Sequence, residues 1–191
     1  FAVFVVMGGT MIAFWSNVLW NMSAQFYWEK ETGNLELYLV APISRMAILL
    51  GMALGGIVNT TLRALTILIV GTLVFQVPLV LNEPGTALLM FFLTIIALYV
   101  LGMLFASLFM LYGREAWHTA NLLQEPVHFL SGLYFPSKYL PFVAQLLASI
   151  IPLTFGLDGI RRVIILGEGF VDVMPNIVAL IIFTIILMPL A

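Results

Sequence analysis

Charged residues are scarce in this chain. Only 8% of its 191 residues are Asp, Glu, Lys or Arg, whereas 63% are hydrophobic. Soluble domains carry about 25% charged residues, so this chain cannot cover a water-facing surface with polar groups. Its composition therefore predicts an integral membrane protein whose solvent is the lipid bilayer. The net charge of -2 also argues against a nucleic acid partner, because phosphate binding requires a basic surface.

Cysteine is absent, and lysine occurs only twice, at Lys30 and Lys138. Without cysteine the chain has no disulfide framework, no thiol nucleophile and no thiolate metal site. A phosphate-binding loop ends in Gly-Lys-Ser or Gly-Lys-Thr, and neither lysine follows a glycine. We therefore expect that this chain is not itself an ATPase or another enzyme and binds no cofactor of its own.

Long apolar runs are what the sequence has in abundance, and a spanning helix requires about 20 such residues. Five spans are predicted, over residues 1–20, 46–76, 86–112, 115–132 and 174–191. A further apolar stretch over 139–155 is bracketed by Pro141 and Pro152, which favours a short external, re-entrant helix. The predicted fold is an all-α, polytopic membrane bundle.

Both ends of the chain lie inside apolar runs that have no charged flank, and Phe1 is not an initiator methionine. We therefore expect residues 1–191 to be one transmembrane domain, cut from a longer protein at both ends. No basic region precedes the first run, so a signal peptide is not expected.

The basic residues of the linkers orient the bundle only weakly. The 77–85 linker has no Lys or Arg, so the positive-inside rule places it outside and places 21–45 and 113–115 in the cytoplasm. That threading leaves three basic residues on each side, namely Lys30, Arg45 and Arg114 inside and Lys138, Arg161 and Arg162 outside. The orientation therefore rests partly on a family resemblance.

The first linker holds the densest charge, with Glu29, Lys30, Glu31 and Glu36 inside eight residues. In a chain built for lipid, such a polar segment is where a soluble partner can bind. Alternatively, the segment rests on the lipid headgroups with Trp28 as its anchor.

A short amphipathic helix is predicted within this linker. Thr32 can cap it, and Leu35, Tyr38 and Leu39 recur on one face before Pro42 ends it. A two-turn helix is not stable alone. This one needs either a protein groove or the membrane interface.

Two separated groups of segments resemble type-2 ATP-binding-cassette exporter permeases, including their drug-resistance and polysaccharide export branches. The first resembles the signature loop of that family and consists of 29–36 (EKETGNLE), 41–45 (APISR) and Gly51. Asn34 departs mildly from the family pattern, which usually has Thr there. The second resembles the external region before the last span and consists of 130–136 (LSGLYFP), 140–141 (LP), 151–154 (IPLT), 158–161 (DGIR) and Gly167.

The resemblance implies a coupling helix at about 33–41 that contacts a separate nucleotide-binding ATPase subunit. ATP and Mg would then be bound by that partner subunit. The implied coupling residues are Glu29, Glu31, Gly33, Leu35, Glu36, Tyr38 and Leu39. The resemblance also implies six spans in the complete domain, a homodimer or paired permease, and export of an amphipathic drug, lipid or glycan across the cell membrane.

An external cap before the last span is implied in the same way. Its residues are Tyr134, Phe135, Pro136, Asp158 and Arg161. The residue types there also predict a simpler role, in which the charges over 158–162 form a local ion pair that anchors the cap at the headgroups.

A polar stripe runs along the fourth predicted span. His118, Asn121, Glu125 and His128 recur at steps of three, four and three, so they share one helix face. Because charge inside a bilayer is costly, the stripe should face other helices or water. It is either a substrate pathway or proton relay, or a set of interhelical hydrogen bonds that fixes the bundle.

A metal site on this span is not expected. Glu115 with His118, and Glu125 with His128, have the Glu-x-x-His spacing of di-metal bundles. Both motifs lie on one helix, about 15 Å apart at 1.5 Å per residue, so they cannot share a metal ion.

The second predicted span contains one charge and one small-residue motif. Arg63 lies near its middle, where it could pair with Glu125, contact an anionic substrate, or extend toward the interface. Gly51 and Gly55 form a Gly-x-x-x-Gly pair that would allow close helix approach.

Three functions compete on this evidence. The resemblance favours the permease subunit of an ATP-driven exporter. The alternative is a stand-alone secondary transporter or channel that uses the Glu125/His128 stripe, but such proteins often show inverted repeats and no repeat is visible here. A membrane-embedded enzyme would need a clustered nucleophile and base, which the sequence does not show.

Overall fold

All regular structure in the described part of the protein is helical. The computed structural model describes residues 2–23, 25–40, 42, 44–76, 82–112, 114–134 and 139–190. The helices are α1 (Ala2–Ser16), a π-helix (Asn17–Ser23), α2 (Gln25–Glu31), α3 (Asn34–Val40), α4 (Arg45–Phe75), α5 (Pro84–Tyr112), α6 (Arg114–Leu130), α7 (Phe142–Ala148), α8 (Pro152–Leu166), α9 (Met174–Leu187) and a 3-10 turn (Met188–Leu190). The predicted all-α fold class is confirmed.

Two helices are long and apolar enough to cross a bilayer, over Leu54–Phe75 in α4 and Pro84–Phe109 in α5. The α7–α8 pair is a third candidate if its two arms form one broken span, and Val5–Trp20 and Met174–Leu190 are shorter apolar helices. The described structure therefore supports two or three spans. The count of five is not confirmed.

The fourth predicted span forms a helix but does not pass as a span. α6 has 17 residues, contains Pro126, and is amphipathic because its polar residues recur on one face. It ends before Gly132, whose φ of 77° is the left-handed conformation that glycine adopts readily. The sequence therefore predicted the position of this helix in the chain, whereas the prediction that it crosses the membrane is not confirmed.

α1 and α4 pack antiparallel through glycines of α4. A Cβ added at Gly71 would lie 2.7 Å from Cγ2 of Val6, and one added at Gly56 would lie 2.7 Å from Nδ2 of Asn17. Because Val6 is near the start of α1 and Asn17 follows its end, these two contacts fix the antiparallel register. Small residues permit this approach in lipid, where no hydrophobic effect pushes helices together.

The predicted Gly51/Gly55 motif is not part of this helix packing. A Cβ added at either position would meet no atom of the described chain within 4 Å. Within the described chain these two glycines bring no helices together, and Gly56 and Gly71 have that role instead.

α5 is the central helix, and the π-helix, α2, α6, α8 and α9 all pack against it. Met90, Thr94 and Leu98 lie on one face at steps of four and are fully buried. α8 meets this face with glycines, because a side chain at Gly156 would overlap Thr94 and one at Gly159 would overlap Met90. The close approach of α5 and α8 thus depends on two missing side chains.

The segment between Pro141 and Pro152 folds as two helices rather than one. α7 ends at Ala148, and α8 starts at Pro152 with its axis turned by 96°. Proline is favoured in the first turn of a helix, where its missing N–H breaks no hydrogen bond. Residues 152–155, expected in the short external helix, therefore belong to the buried α8, and a re-entrant path for α7–α8 is not confirmed.

Substitution of Gly156 tests the close packing of α8 on α5. Gly156→Ala should destabilise the protein by about 1–3 kcal/mol, because the added methyl group overpacks the α5–α8 contact. Thermal unfolding in detergent micelles would measure the change.

Gly55→Ala is the matched control, since it adds the same methyl group to open space on a neighbouring apolar helix. Alanine favours helix over glycine by up to about 1 kcal/mol, so this variant should be neutral or slightly more stable. Equal destabilisation by both variants would contradict the close α5–α8 packing.

Candidate functional site

The charged linker folds as a hairpin of two short helices, α2 and α3. The amide of Thr32 donates to the carbonyl of Trp28 at 2.9 Å, and the amide of Gly33 donates to that of Lys30 at 3.2 Å. Gly33 has a φ of 78°, which ends α2. The hydroxyl of Thr32 donates back to the carbonyls of Trp28 and Glu29, so the prediction that Thr32 caps α3 is wrong.

This hairpin brings all the predicted coupling residues together. α3 packs on α2, and α2 packs on the central helix α5. In the hairpin, Glu29 is half-buried, whereas Glu31, Gly33 and Glu36 are exposed. The backbone of α3 contains the other three, Leu35, Tyr38 and Leu39.

A buried polar seam joins the π-helix to α4 and α5. The Nδ2 group of Asn17 donates to the hydroxyl of Tyr99 at 2.7 Å, and Tyr99 also hydrogen-bonds Thr60. All three side chains are less than 8% exposed. Buried polar groups are costly unless paired, so this network holds three helices in one arrangement.

The π-helix makes a second polar contact, with α6. Nε1 of Trp20 donates to Oε1 of Gln124 at 2.9 Å. π-helical turns are rare and often occur at functional sites. Sequence reasoning missed the Asn17–Tyr99 pair, although isolated polar residues in two apolar runs were an available signal that each needs a partner.

Arg63 lies beside this seam, in a pocket of about 150 Å³ between the first helices and α4. The pocket is lined by Ala13, Ser16, Asn17, Trp20, Asn59, Thr60 and Arg63. Arg63 is exposed, and it makes no ion pair or hydrogen bond with any residue the structure describes. The predicted pairing of Arg63 with Glu125 is therefore wrong within this chain.

The four residues of the polar stripe on α6 differ in their exposure. His118, Asn121 and Glu125 are exposed, whereas His128 is only 8% exposed. Nε2 of His128 is buried without a hydrogen-bond partner in the described structure. No group of three or more residues able to hold a metal ion occurs in the described ranges.

At the other end of the bundle, Arg161 fastens α8 to the end of α6. Its side chain is 6% exposed, donates from Nη1 to the carbonyl of Gly132, and donates from Nη2 to the carbonyl of Leu133 at 2.7 Å. Arginine can satisfy two acceptors at once because its donors form a planar fork. Gly132 and Leu133 lie in the turn after α6, so one side chain fixes that turn.

The neighbouring charges pair differently from the prediction of an ion pair within 158–162. Arg162 pairs with Glu168 through Nε and Oε2 at 2.5 Å, and Asp158 accepts a hydrogen bond from Asn176 at 3.1 Å. Of the other predicted cap residues, Tyr134 is exposed, and Phe135 and Pro136 lie outside the described residues.

A cavity of about 870 Å³ lies beside Arg161. Polar groups from Ser131, Thr154 and Asp158 line it together with apolar surface from Phe155 and Ile165. This volume is in the range of sites for drug-sized molecules. The structure thus offers a small pocket at Arg63 and a larger cavity at Arg161.

Comparison with known families identifies the chain. The sequence profile described as ABC-2 type transporter matches residues 2–165, which include the hairpin, the polar seam and most of α8. The chain belongs to the ABC-2 type transporter family. The family resemblance found in the sequence is therefore confirmed, and ABC-2 proteins are permeases of ATP-binding-cassette transporters.

Two curated relatives illustrate the relationship of this ABC-2 chain. It is 28% identical over 151 residues to the probable multidrug ABC transporter permease YbhR of Escherichia coli K12, covering 78% of this chain and 39% of that protein. It is 38% identical over 94 residues to nodulation protein J of Rhizobium leguminosarum bv. trifolii, covering 49% and 35%. The chain thus spans between about one-third and two-fifths of the length of these relatives. No solved structure matches it.

The polar seam can be tested by removing one hydroxyl group. Tyr99→Phe removes the hydroxyl that accepts from the amide of Asn17 and should lower the free energy of unfolding by about 0.5–2 kcal/mol. Chemical denaturation in micelles would measure this loss.

Tyr112→Phe makes the same change at the exposed end of α5 and should have little effect. Adding Asn17→Leu to Tyr99→Phe should cost less than the sum of the two single changes, because both remove one interaction. Full additivity would contradict a direct Asn17–Tyr99 contact.

Arg161 and Arg162 provide a second matched comparison. Arg161→Gln removes charged hydrogen bonds to two carbonyls and should destabilise the protein by about 1.5–3 kcal/mol. It should also speed amide hydrogen exchange in residues 131–134, which these bonds hold.

Arg162→Gln breaks only a partly exposed ion pair, worth about 0–1 kcal/mol. Its exchange pattern at 131–134 should match that of the wild type. Similar effects from both arginine variants would show that Arg161 is not the residue that fixes the turn after α6.

Proposed function

We propose that this chain is part of the membrane-spanning permease of an ATP-driven exporter, and that a separate nucleotide-binding subunit supplies the energy. The observation that supports this most strongly is the match of the ABC-2 type transporter profile to residues 2–165. The chain has no phosphate-binding lysine motif of its own. ATP and Mg would therefore be bound by the partner.

The α2–α3 hairpin is the proposed contact for that partner. It is the most highly charged part of the chain, with Glu29, Lys30, Glu31 and Glu36 close together. Short helices of seven residues are not stable in isolation, so α3 gains from any surface on which it docks. In the proposed orientation this hairpin faces the cytoplasm.

A structural route leads from the hairpin into the membrane. α2 packs on α5 and on the π-helix. The π-helix in turn hydrogen-bonds α5 through Asn17 and α6 through Trp20. A displacement of the hairpin by the ATPase would therefore act directly on α5 and the π-helix, and through Trp20 on α6, which is the coupling an exporter requires.

The cargo we propose is amphipathic, a drug, lipid or glycan. One relative is named a probable multidrug permease, and the pockets at Arg63 and Arg161 both combine polar groups with apolar walls. The proposed working unit is a homodimer or a pair of permeases in the cell membrane, with α1, α6 and α9 as further spans.

Co-purification tests the coupling. The full-length protein should retain its ATPase subunit. Leu35→Asp introduces a charge into α3 and should abolish binding of the ATPase subunit. Glu31→Ala should weaken that binding at least severalfold. Quantitative mass spectrometry of the purified complexes would give the stoichiometry.

Asp172→Asn is the control, because it removes one carboxylate charge from a loop near the opposite end of α5 and keeps an acceptor for the amide of Gly169. It should leave the ATPase bound. If no ATPase is retained by the wild type and proton-driven flux occurs in liposomes, the alternative of a secondary transporter based on Glu125 and His128 replaces this proposal.

A further inference from the structure

Arg63 lies deep in the apolar part of α4. It follows Arg45 by 18 residues and precedes Phe75 by 12, which correspond to about 27 Å and 18 Å at 1.5 Å per residue. It falls within Leu54–Phe75, the segment of α4 that is apolar enough to cross a bilayer. A hydrocarbon core of about 30 Å therefore surrounds this part of the helix.

A guanidinium group at this depth is costly unless other groups or water satisfy it. Charged side chains inside a bilayer pair with other groups or line water-filled cavities. Among the described residues, Arg63 has no ion pair and no hydrogen bond. The residues that line its pocket include one cation and no carboxylate, so the pocket is electropositive.

A second donor points to the same kind of ligand. Asn59 lies one helical turn before Arg63, lines the same pocket, and also makes no hydrogen bond within the described structure. Asn17 and Thr60, by contrast, hydrogen-bond Tyr99. The pocket thus presents a fork of charged donors and a free amide, a combination suited to carboxylate, sulfate or phosphate oxygens.

The size of the pocket limits what enters it. A volume of about 150 Å³ corresponds to about five water molecules at roughly 30 Å³ each, enough for one oxyanion group but not for a drug-sized molecule. The nearby residues Val58 and Leu62 are exposed and apolar. An apolar chain attached to the anion would therefore lie along α4.

We propose that the Arg63 pocket binds the anionic headgroup of an amphiphile whose apolar part lies against α4. This inference rests on the proposed exporter function in one respect, namely that the amphiphile is cargo. A membrane phospholipid presents the same chemistry through its phosphate group. The experiment must therefore identify both the charge of the ligand and its source.

Binding of a matched probe series to the full chain in nanodiscs tests the charge preference. The probes are a pyrene-labelled fatty acid, its methyl ester and the corresponding alkylamine, which share an apolar chain and differ in headgroup charge. The acid should bind the wild type at least tenfold more tightly than the ester or the amine. Equal binding of the three probes would overturn the proposal.

Variants at Arg63 test the site. Arg63→Gln should weaken binding of the acid at least tenfold. Arg63→Lys keeps the charge but loses the planar fork and should weaken binding less. Arg45→Gln removes the same charge from the start of the same helix and should leave binding unchanged. Unchanged binding to a folded Arg63→Gln protein would overturn the proposal, and the Lys variant retains this test if the Gln variant fails to fold.

The source of the ligand is distinguished by changing the lipid. If the fatty acid binds alike in phosphatidylcholine and phosphatidylglycerol nanodiscs, the pocket accepts a cargo headgroup. If phosphatidylglycerol displaces the probe and co-purifies in an Arg63-dependent amount, the pocket holds a phospholipid, and the cargo assignment is overturned. These binding measurements contain no ATPase, so their failure is separate from failure of ATPase co-purification.

Discussion

The missing side chain at Gly56 is the constraint on which the half of the bundle next to the α2–α3 hairpin depends. A Cβ there would lie 2.7 Å from Nδ2 of Asn17 and 3.2 Å from the hydroxyl of Tyr99. Its absence lets the π-helix approach α4 closely enough for Asn17, Thr60 and Tyr99 to form one network. In lipid, apolar surface gives helices no preference for each other over acyl chains. Space for a polar contact therefore decides which helices meet.

In the other half of the bundle, glycines again make room for close helix packing and polar contacts, but the residues differ. Gly156 allows α8 to lie on α5, which leaves Arg161 in reach of the turn after α6. Asn176 then joins α9 to α8 through Asp158 and the carbonyl of Phe155. Both halves of the bundle thus combine close contacts at glycines with polar contacts between elements, and apolar side chains fill the remaining volume.

The apolar runs allowed the sequence to predict the long helices closely. Residues 46–76 and 86–112 were predicted, and Arg45–Phe75 and Pro84–Tyr112 are observed, because helix formation in lipid is driven by local backbone hydrogen bonding. Partners far apart in the chain were not predictable in this way. Of the roles predicted for Arg63, the ion pair with Glu125 does not form in the described chain. The Asn17–Tyr99 contact was missed, because such contacts depend on how helices pack.

Local hydrogen bonds also misled the sequence reasoning at Thr32. A threonine before a helix is a good cap, but here its hydroxyl bonds the preceding turn, since Gly33 reverses the chain immediately after it. The seven predicted coupling residues nevertheless fall in one hairpin. The sequence therefore located the candidate contact, whereas the conformation of the turn inside it required the structure.

The π-helix over Asn17–Ser23 has a geometric consequence for everything that follows it. A turn closed by i→i+5 hydrogen bonds takes up one more residue than an α-helical turn, and one residue corresponds to about 100° of rotation around the helix axis. The chain therefore leaves this segment at a different angle around the helix axis than it would leave a continuous α-helix. The length of this segment therefore sets the direction, around the axis of the first helix, in which the α2–α3 hairpin points. The chemistry of the hairpin itself does not affect that direction.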